Sequence, residues 1–176
     1  MILNMKSKDA YDPKKDVSAA IRLLSAILQK GDAFAQHIDS QANILIGVSL
    51  ALFTFSASRF GADRETFFLI LGSFSAAAAL VALLSIHPPK FMRKRGQSES
   101  LMYNKRITDF KNPSAFEKEL KNIIGDQDAI VSEYSKEIYN LYKYYYRPKR
   151  TLYTYSRNIL LIGIIFSVLV LAAAIL

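Results

Sequence analysis

The chain has 176 residues, of which 51% are hydrophobic, and a formal net charge of +8. This composition is too apolar for a disordered chain, and the length is too short for several soluble domains. The absence of cysteine excludes thiolate metal sites and cysteine nucleophiles, and it fits a soluble part that faces a reducing cytoplasm.

The N-terminal segment, residues 1–41, predicts a cytoplasmic amphipathic helix. It lacks the apolar core of a signal peptide, so the chain is expected to insert through its own spans. Apolar residues from Val17 to Ile38 recur at spacings of three and four, which is the periodicity of one helical face. Asp16 is the expected N-cap, and Gly31 is a weak point inside the helix. Because neither glycine nor proline follows Ile38 directly, the helix is expected to continue into the next apolar segment.

Three apolar blocks without a charged residue or a histidine, 42–58, 66–86 and 158–176, predict transmembrane helices. They contain 17, 21 and 19 residues. A helix needs roughly 17 to 25 apolar residues to cross a hydrocarbon core of about 30 Å. Buried helices of a soluble protein are the alternative, but so short a chain has little polar surface with which to cover three of them. The predicted fold class is all-α: a multi-pass membrane protein with three transmembrane helices and a helical cytoplasmic region.

The distribution of lysine and arginine predicts the orientation. The connection 87–157 holds 15 Lys and Arg against 8 Asp and Glu, whereas the connection 59–65 holds two of each sign. By the positive-inside rule, the N-terminus and the long connection are cytoplasmic, and the short connection is external. The C-terminus is then expected at the outer face.

The connection 87–157 predicts a helical cytoplasmic sensor region, because no period-two alternation occurs in it. Two prolines at its start end the second span. Ser114 and Glu117 form a capping box that opens a helix to Ile124, and Gly125 ends this helix.

A longer helix follows Asp126 and runs to Arg147, where Pro148 is expected to separate it from the last span or to kink it. The segment Ile138–Arg157 at this junction mixes five Lys and Arg with seven tyrosines. It is therefore the part of the chain in which a functional site is expected.

Two interpretations of this segment stay open. Tyrosine at the headgroup level and Lys or Arg just inside the membrane are common anchors of transmembrane helices. Alternatively, the segment binds a nucleotide, with cations on the phosphate and a tyrosine ring on the base. Lys143 and Arg147, four apart on one helix face, are the candidate phosphate ligands, and Tyr142 with Tyr146 is the candidate stacking pair. No nucleic acid is expected as a partner, because a basic face on a bilayer leaves little room for a duplex.

The sequence predicts neither an enzyme nor a metal or cofactor site. It contains two histidines, both beside span ends, and it lacks the zinc-binding and glycine-rich phosphate-binding motifs. The spans lack charged residues, which disfavours a solute transporter. Small residues four apart, such as Gly72 with Ala76 and Gly163 with Ser167, allow helices to pack closely within one subunit or in an oligomer.

Three short features occur in order along the chain. The first is an Asp-x-x-Ala pattern at the start of the first span, Asp39 with Ala42, which we call the collar. The second is a proline that ends the second span, Pro88, and the third is a Lys-Tyr pair before the third span, Lys143 with Tyr144. This combination resembles the Pycsar transmembrane effector family over about residues 16–176. The collar departs from the expected Asp-x-Lys-Ala pattern at Gln41.

The resemblance implies a bacterial antiphage effector of the inner membrane that responds to a cyclic pyrimidine mononucleotide, cyclic CMP or cyclic UMP, made by a partner cyclase. Ligand binding is then expected to disrupt the inner membrane and to cause growth arrest or cell death. The resemblance adds Asp39 to the candidate ligand-binding residues. A homo-oligomer is expected, without a stable complex with the cyclase. The alternative is a constitutive holin-like or toxin-type protein without a nucleotide ligand, which the long cytoplasmic connection disfavours.

Overall fold

The structure, a computed structural model, describes residues 17–61, 65–89, 91–92 and 99–174. Of these residues 86% are helical and none lies in a strand, so the predicted all-α class is confirmed. The N-cap predicted at Asp16 lies outside the described residues. The elements in chain order are α1 (Val17–Ser58), α2 (Glu65–Ile86), α3 (Asn104–Thr108), α4 (Pro113–Ile124), α5 (Gln127–Asn140), a π-helical segment (Leu141–Tyr146) and α6 (Arg147–Ala173).

The described residues form two compact units. One, the helical unit, comprises the described residues up to Lys30 and those from 99 to Ile138. The other, the membrane-helix unit, comprises those from Gly31 to 92 and from Tyr139 to 174. Helix α1 belongs to both units and has no break along its 42 residues, so its predicted continuation into the first span is confirmed.

Three helical stretches are long and apolar enough to cross a membrane: Ser18–Ser58, Glu65–Ile86 and Gln127–Ala173. The exposed side chains of these helices are large and apolar, which is the reverse of the pattern in a soluble protein. Large apolar side chains are exposed, among them Ile44 (68%), Leu80 (64%), Phe166 (54%), Leu161 (50%) and Phe53 (42%). The buried positions are instead taken by small residues such as Ala42, Ala78 and Ala82. A surface of this kind is suited to lipid, and the protein is therefore a membrane protein.

Buried positions on α1 follow a seven-residue spacing at Ala35, Ala42, Ser49 and Ser56. This is the repeat of helices that pack as a left-handed coiled coil. Small side chains at these positions let neighbouring backbones come close. At Gly72 of α2, for example, an added Cβ atom would lie 3.2 Å from the Cβ atom of Ser56.

Helices α2 and α6 also meet through a glycine. Gly163 of α6 is buried against Phe74 of α2, and an added Cβ atom would collide with the Phe74 side chain. Ser167, one turn further along α6, is buried as well. Gly47 of α1 differs, because nothing lies within 4 Å of the position of an added Cβ atom. Of the small residues predicted to allow close packing, some therefore face a neighbouring helix, as Gly163 does, and others lie on an outer face, as Gly47 does.

Glu133 organises the helical unit. Its side chain is buried and accepts hydrogen bonds from the Leu101 N–H group at 2.5 Å and from Lys136 Nζ at 2.7 Å. Arg106 Nη1 lies 3.8 Å from the same carboxylate. Burial alone would raise the pKa of Glu133, but the hydrogen bonds from Lys136 and Leu101 and the charges of Lys136 and Arg106 outweigh burial and lower it. The carboxylate thus stays ionised at neutral pH and ties α5 to the segment before α3.

Helix α4 begins earlier than the predicted capping box. Asn112 is its N-cap, and the Asn112 Oδ1 atom accepts a hydrogen bond of 2.8 Å from the Ala115 N–H group. Pro113 follows at the first helical position, where its missing N–H group would have no partner in any case. The prediction of Ser114 as the cap is wrong, because the Asn-Pro pair competes with the Ser-x-x-Glu pattern and fits the start of the helix better.

The helix does not end at Pro148. The chain is helical from Gln127 to Ala173, with the π-helical segment directly before α6. In this segment the Arg147 N–H group donates to the Tyr142 carbonyl oxygen, five residues back. In a regular α-helix the proline ring would clash with the carbonyl group of Tyr144. A π-helical turn is wider and is commonly found at functional sites. The predicted separation at Pro148 is therefore wrong, and the wider turn takes its place.

Gly163→Ala should loosen the packing of α6 on α2, because the new methyl group meets the Cβ atom of Phe74 and the backbones have to move apart. Extra atoms in a close-packed interface cost about 1–3 kcal/mol. We expect a lower midpoint of thermal unfolding in detergent. Val168→Ile is the control, since it adds one methyl group at a position of α6 that is 55% exposed. Equal midpoints for the two variants would contradict this account of the packing.

Candidate functional site

An ion pair between a buried lysine and a partly exposed aspartate joins α1 to α6 in the membrane-helix unit. The Lys149 Nζ atom lies 2.6 Å from Asp39 Oδ1 and 2.7 Å from Asp39 Oδ2. The Lys149 side chain is 1% exposed, whereas that of Asp39 is 30% exposed. The Lys149 ammonium also lies 4.5 Å from the ring centroid of Tyr145, which adds a cation–π contact. Both carboxylate oxygens of Asp39 are therefore already bound by a cation of this chain.

Gln41, where the resemblance expects a lysine, takes no part in this ion pair. The Gln41 Nε2 atom lies 3.0 Å from His37 Nε2, so the glutamine side chain pairs with its own helix. The cation that neutralises Asp39 comes from α6, 110 residues later in the chain. A collar without lysine thus still has a balanced charge.

Sequence reasoning missed Lys149, because it stands beside Arg150 in a run of basic residues typical of membrane anchors. The signal that identifies it is the register of α6. Lys149, Ser156 and Gly163 are seven residues apart and all three are buried. A lysine that continues a buried seven-residue repeat points inward, where it needs a counter-charge.

An open pocket of about 240 Å³ lies where the π-helical segment meets α6. This pocket, the junction pocket, is lined by Met92, Lys143, Tyr144, Arg147, Pro148 and Thr151. Its volume is below the roughly 300 to 1,000 Å³ typical of sites for drug-sized ligands. The junction pocket therefore fits a small ligand, or the charged part of a larger one. Two of the residues predicted from the sequence, Lys143 and Arg147, meet here.

Lys143 is held by tyrosine. Its ammonium donates a hydrogen bond to the Tyr139 hydroxyl and lies 4.6 Å from the ring centroid of Tyr139 and 5.5 Å from that of Tyr144. The hydrogen bond with Tyr139 raises the pKa of Lys143 above its ordinary value, against a smaller opposing effect of desolvation. The side chain is exposed and charged at neutral pH. Arg147 is exposed too, and within the described residues its guanidinium has no hydrogen-bonded partner.

Tyr142 and Tyr146 do not line the junction pocket. They are half-buried and form an edge-to-face pair with ring centroids 5.9 Å apart. The Tyr146 ring centroid lies 6.1 Å from that of Phe34. The Tyr142 ring lies against Gly31, within 3.0 Å of the position of an added Cβ atom. The structure thus packs both predicted stacking residues against α1, and it places Tyr144 at the pocket instead.

These features define a three-span helical membrane protein with a cationic pocket, bordered by tyrosine, at the start of its last membrane helix. Within the described residues, no group of three or more His, Asp or Glu side chains could hold a metal ion. A family model described as the Pycsar effector protein domain matches residues 7–176. The chain therefore belongs to the Pycsar effector family, whose members are antiphage-defence effectors associated with membranes and with a cyclic nucleotide signal from a cyclase. No curated protein and no solved structure matches the chain.

Asp39→Asn should destabilise the protein more than Lys149→Met does. The first change leaves an ammonium group that is 1% exposed without its counter-charge, whereas the second leaves a carboxylate that is 30% exposed and can be hydrated. Breaking a buried pair by removing one partner costs about 3–5 kcal/mol. The expected order of thermal midpoints in detergent is parent, Lys149→Met, Asp39→Asn.

The combined variant, Asp39→Asn with Lys149→Met, should recover most of the stability that Asp39→Asn loses, because it leaves no buried charge. Arg150→Met is the control, since Arg150 is the exposed neighbour of Lys149. Additive losses in the combined variant, or a loss of the same size for Arg150→Met, would show that the ion pair does not hold α1 to α6.

Proposed function

We propose that this protein is an antiphage effector of the bacterial inner membrane that binds a cyclic pyrimidine mononucleotide, cyclic CMP or cyclic UMP, made by a partner cyclase. Binding then disrupts the membrane and leads to growth arrest or cell death. Family membership supports the defence role and the cyclic nucleotide signal. The main structural support is that Lys143, Tyr144 and Arg147 share one pocket at the start of the last membrane helix.

The side chains of the junction pocket match the chemistry of this ligand class. A cyclic mononucleotide carries one phosphate charge and one base. The Arg147 guanidinium offers donors in a planar fork that suits two phosphate oxygens, and Lys143 adds a second cation. The Tyr144 ring offers a face on which a base can stack. Since Lys143 lies over this ring in the structure, its movement to a phosphate would also uncover the ring for the base.

The energy of such contacts is large enough for a switch. A shift of a two-state element from about 1:99 to 99:1 needs roughly 5.5 kcal/mol of preference for one state. Hydrogen bonds to charged groups contribute about 1.5–3 kcal/mol each, and a stacked base contributes about 1–3 kcal/mol. Two cations and one ring reach this range together, provided that they make these contacts in only one arrangement of the helices.

Assembly into a homo-oligomer is part of the proposal. Gly47 with Ala51 on α1, and Ser73 with Ala77 on α2, are pairs of exposed small residues. Pairs at this spacing let transmembrane helices approach closely. Because these pairs lie on the outer faces of their helices, they are open to helices of other copies.

Lys143→Ala and Arg147→Ala should each weaken binding of the nucleotide about ten- to a hundredfold, because each removes one charge-assisted contact with the phosphate. The measurement is calorimetric titration of the detergent-purified protein with cyclic CMP and with cyclic UMP. Growth arrest that depends on the cyclase should be lost in parallel, at unchanged membrane levels on a blot.

Arg150→Ala is the matched control, because Arg150 is exposed, basic and close in sequence but does not line the junction pocket. If both pocket variants insert normally and bind like the parent, the basic segment is only a membrane anchor. If the parent binds neither nucleotide but still permeabilises membranes, the holin-like alternative is correct.

The orientation is tested separately. A periplasmic reporter fused after Gly61 should be active, and a cytoplasmic reporter fused after Gly125 should be active, because the excess of Lys and Arg keeps 87–157 inside the cell. The opposite pattern would place the junction pocket outside the cell and out of reach of a nucleotide made in the cytoplasm.

A further inference from the structure

The inner faces of the three membrane helices are lined with serine. Each of α1, α2 and α6 contributes two serines with at most 1% exposure: Ser49 and Ser56, Ser75 and Ser85, Ser156 and Ser167. Large apolar side chains occupy the outer faces of the same helices. The centre of this unit is therefore its most polar part.

Four of the six hydroxyl groups are satisfied in the structure. Three bond to a carbonyl oxygen of their own helix: Ser56 to Leu52, Ser85 to Ala82, and Ser167 to Gly163. Ser156 Oγ instead donates across to the Ala78 carbonyl oxygen of α2 at 2.7 Å. The Ser49 and Ser75 Oγ atoms are buried and have no hydrogen-bond partner among the described residues.

These two hydroxyl groups are not explained by packing. A buried hydroxyl group without a partner costs about 1–3 kcal/mol. Alanine would fill nearly the same space without this cost, and it occupies neighbouring inner positions such as Ala42 and Ala78. Ser49 and Ser75 therefore fit a state of the protein in which water or another polar group reaches them.

The buried serines extend along most of the predicted spans. On α1, Ser56 lies 14 residues after Ala42, where the first span is predicted to begin. At about 1.5 Å per residue this is roughly 21 Å, compared with ~30 Å for a hydrocarbon core. On α6, Ser156 lies just before the predicted third span, and Ser167 lies 11 residues further along, which is roughly 16 Å.

We propose that the serine-lined inner faces of α1, α2 and α6 form the wall of a water-filled path for small hydrated ions in the activated protein. The ion pair of Asp39 and Lys149 lies at one end of this wall and the serines continue from it along the helices. The hydroxyl groups of Ser49 and Ser75 are the part of this wall that has no hydrogen-bond partner among the described residues. This inference rests on the proposed function and identifies the face through which the membrane leaks.

The test uses the natural absence of cysteine, which makes every single-cysteine variant carry one thiol. Ser75→Cys and Ser49→Cys place it on the inner face. Val168→Cys is the control, because Val168 is 55% exposed on the outer face of α6 and belongs to neither pair of small residues proposed for assembly. Each protein is reconstituted in lipid vesicles that contain an ion-sensitive dye. Ion leak and modification by a membrane-impermeant, charged thiosulfonate reagent are followed together, with and without cyclic CMP or cyclic UMP.

Nucleotide should trigger leak and accelerate modification at the two inner positions at least about tenfold, because only a hydrated thiol ionises and reacts readily. Modification there should also block the leak, whereas Val168→Cys should show neither effect. Leak without faster modification at the inner positions would overturn the serine-lined path and leave the proposed function intact.

Absence of leak with either nucleotide would contradict the proposed function instead. The path is then tested without ligand, by comparing the leak of vesicles that contain Ser75→Asp with that of vesicles that contain Val168→Asp. A carboxylate at an inner position demands water, so Ser75→Asp should leak constitutively and Val168→Asp should not. Equal leak, or none from either inserted variant, would overturn the inference.

Discussion

A lysine buried among membrane helices is tolerated only beside a counter-charge, and this requirement at Lys149 determines how α1 and α6 meet. Its ammonium group is 2.6 Å and 2.7 Å from the two oxygens of Asp39. This contact fixes the position of the two helices relative to each other along their axes. From this point the seven-residue repeat continues to Ser49 and Ser56 on α1 and to Ser156 on α6. Sliding one helix along the other would leave Lys149 without its partner. The ion pair thus sets the register that the small inner residues then follow.

Those small residues hold the helices together through close packing. Lipid is as apolar as the outer faces, so no hydrophobic force drives the spans together, and close contact of backbones has to do so. At Gly163 an added methyl group has no room, and at Gly72 it would lie only 3.2 Å from the Cβ atom of Ser56. An interface of this kind is sensitive to small changes in shape.

Much of the fold could be predicted from the sequence, because long apolar blocks and the periodicity of α1 are strong local signals. The continuity of α1 follows from the lack of glycine or proline at the collar. The N-cap at Asn112 was missed because two capping patterns overlap there. The π-helical turn and the burial of Lys149 could not be predicted, since both depend on contacts between distant segments.

The candidate site, too, could be predicted only in part from the sequence. The four-residue spacing of Lys143 and Arg147 places them at one pocket. Tyr142 and Tyr146 are also four residues apart and do contact each other, but this spacing does not predict where the pair lies. Which side of the helix faces α1 depends on Gly31, whose missing side chain leaves room for the Tyr142 ring. The side that faces α1 is thus determined by a tertiary contact, which the residue spacing within the segment cannot predict.

Lys143 and Lys149 have opposite environments. Lys143 is exposed and held by tyrosine rings and one hydroxyl group, contacts that a phosphate could replace at little cost. Lys149 is buried and held by a carboxylate, so its release requires water or another anion. Between them, Arg147 and Pro148 line the junction pocket immediately before Lys149 on the same helix. Arg147 and Lys149 lie in the same turn of α6, so a change in the backbone at Arg147 would also shift Lys149. The contacts of Lys143 and those of Lys149 are thereby connected by one continuous helix.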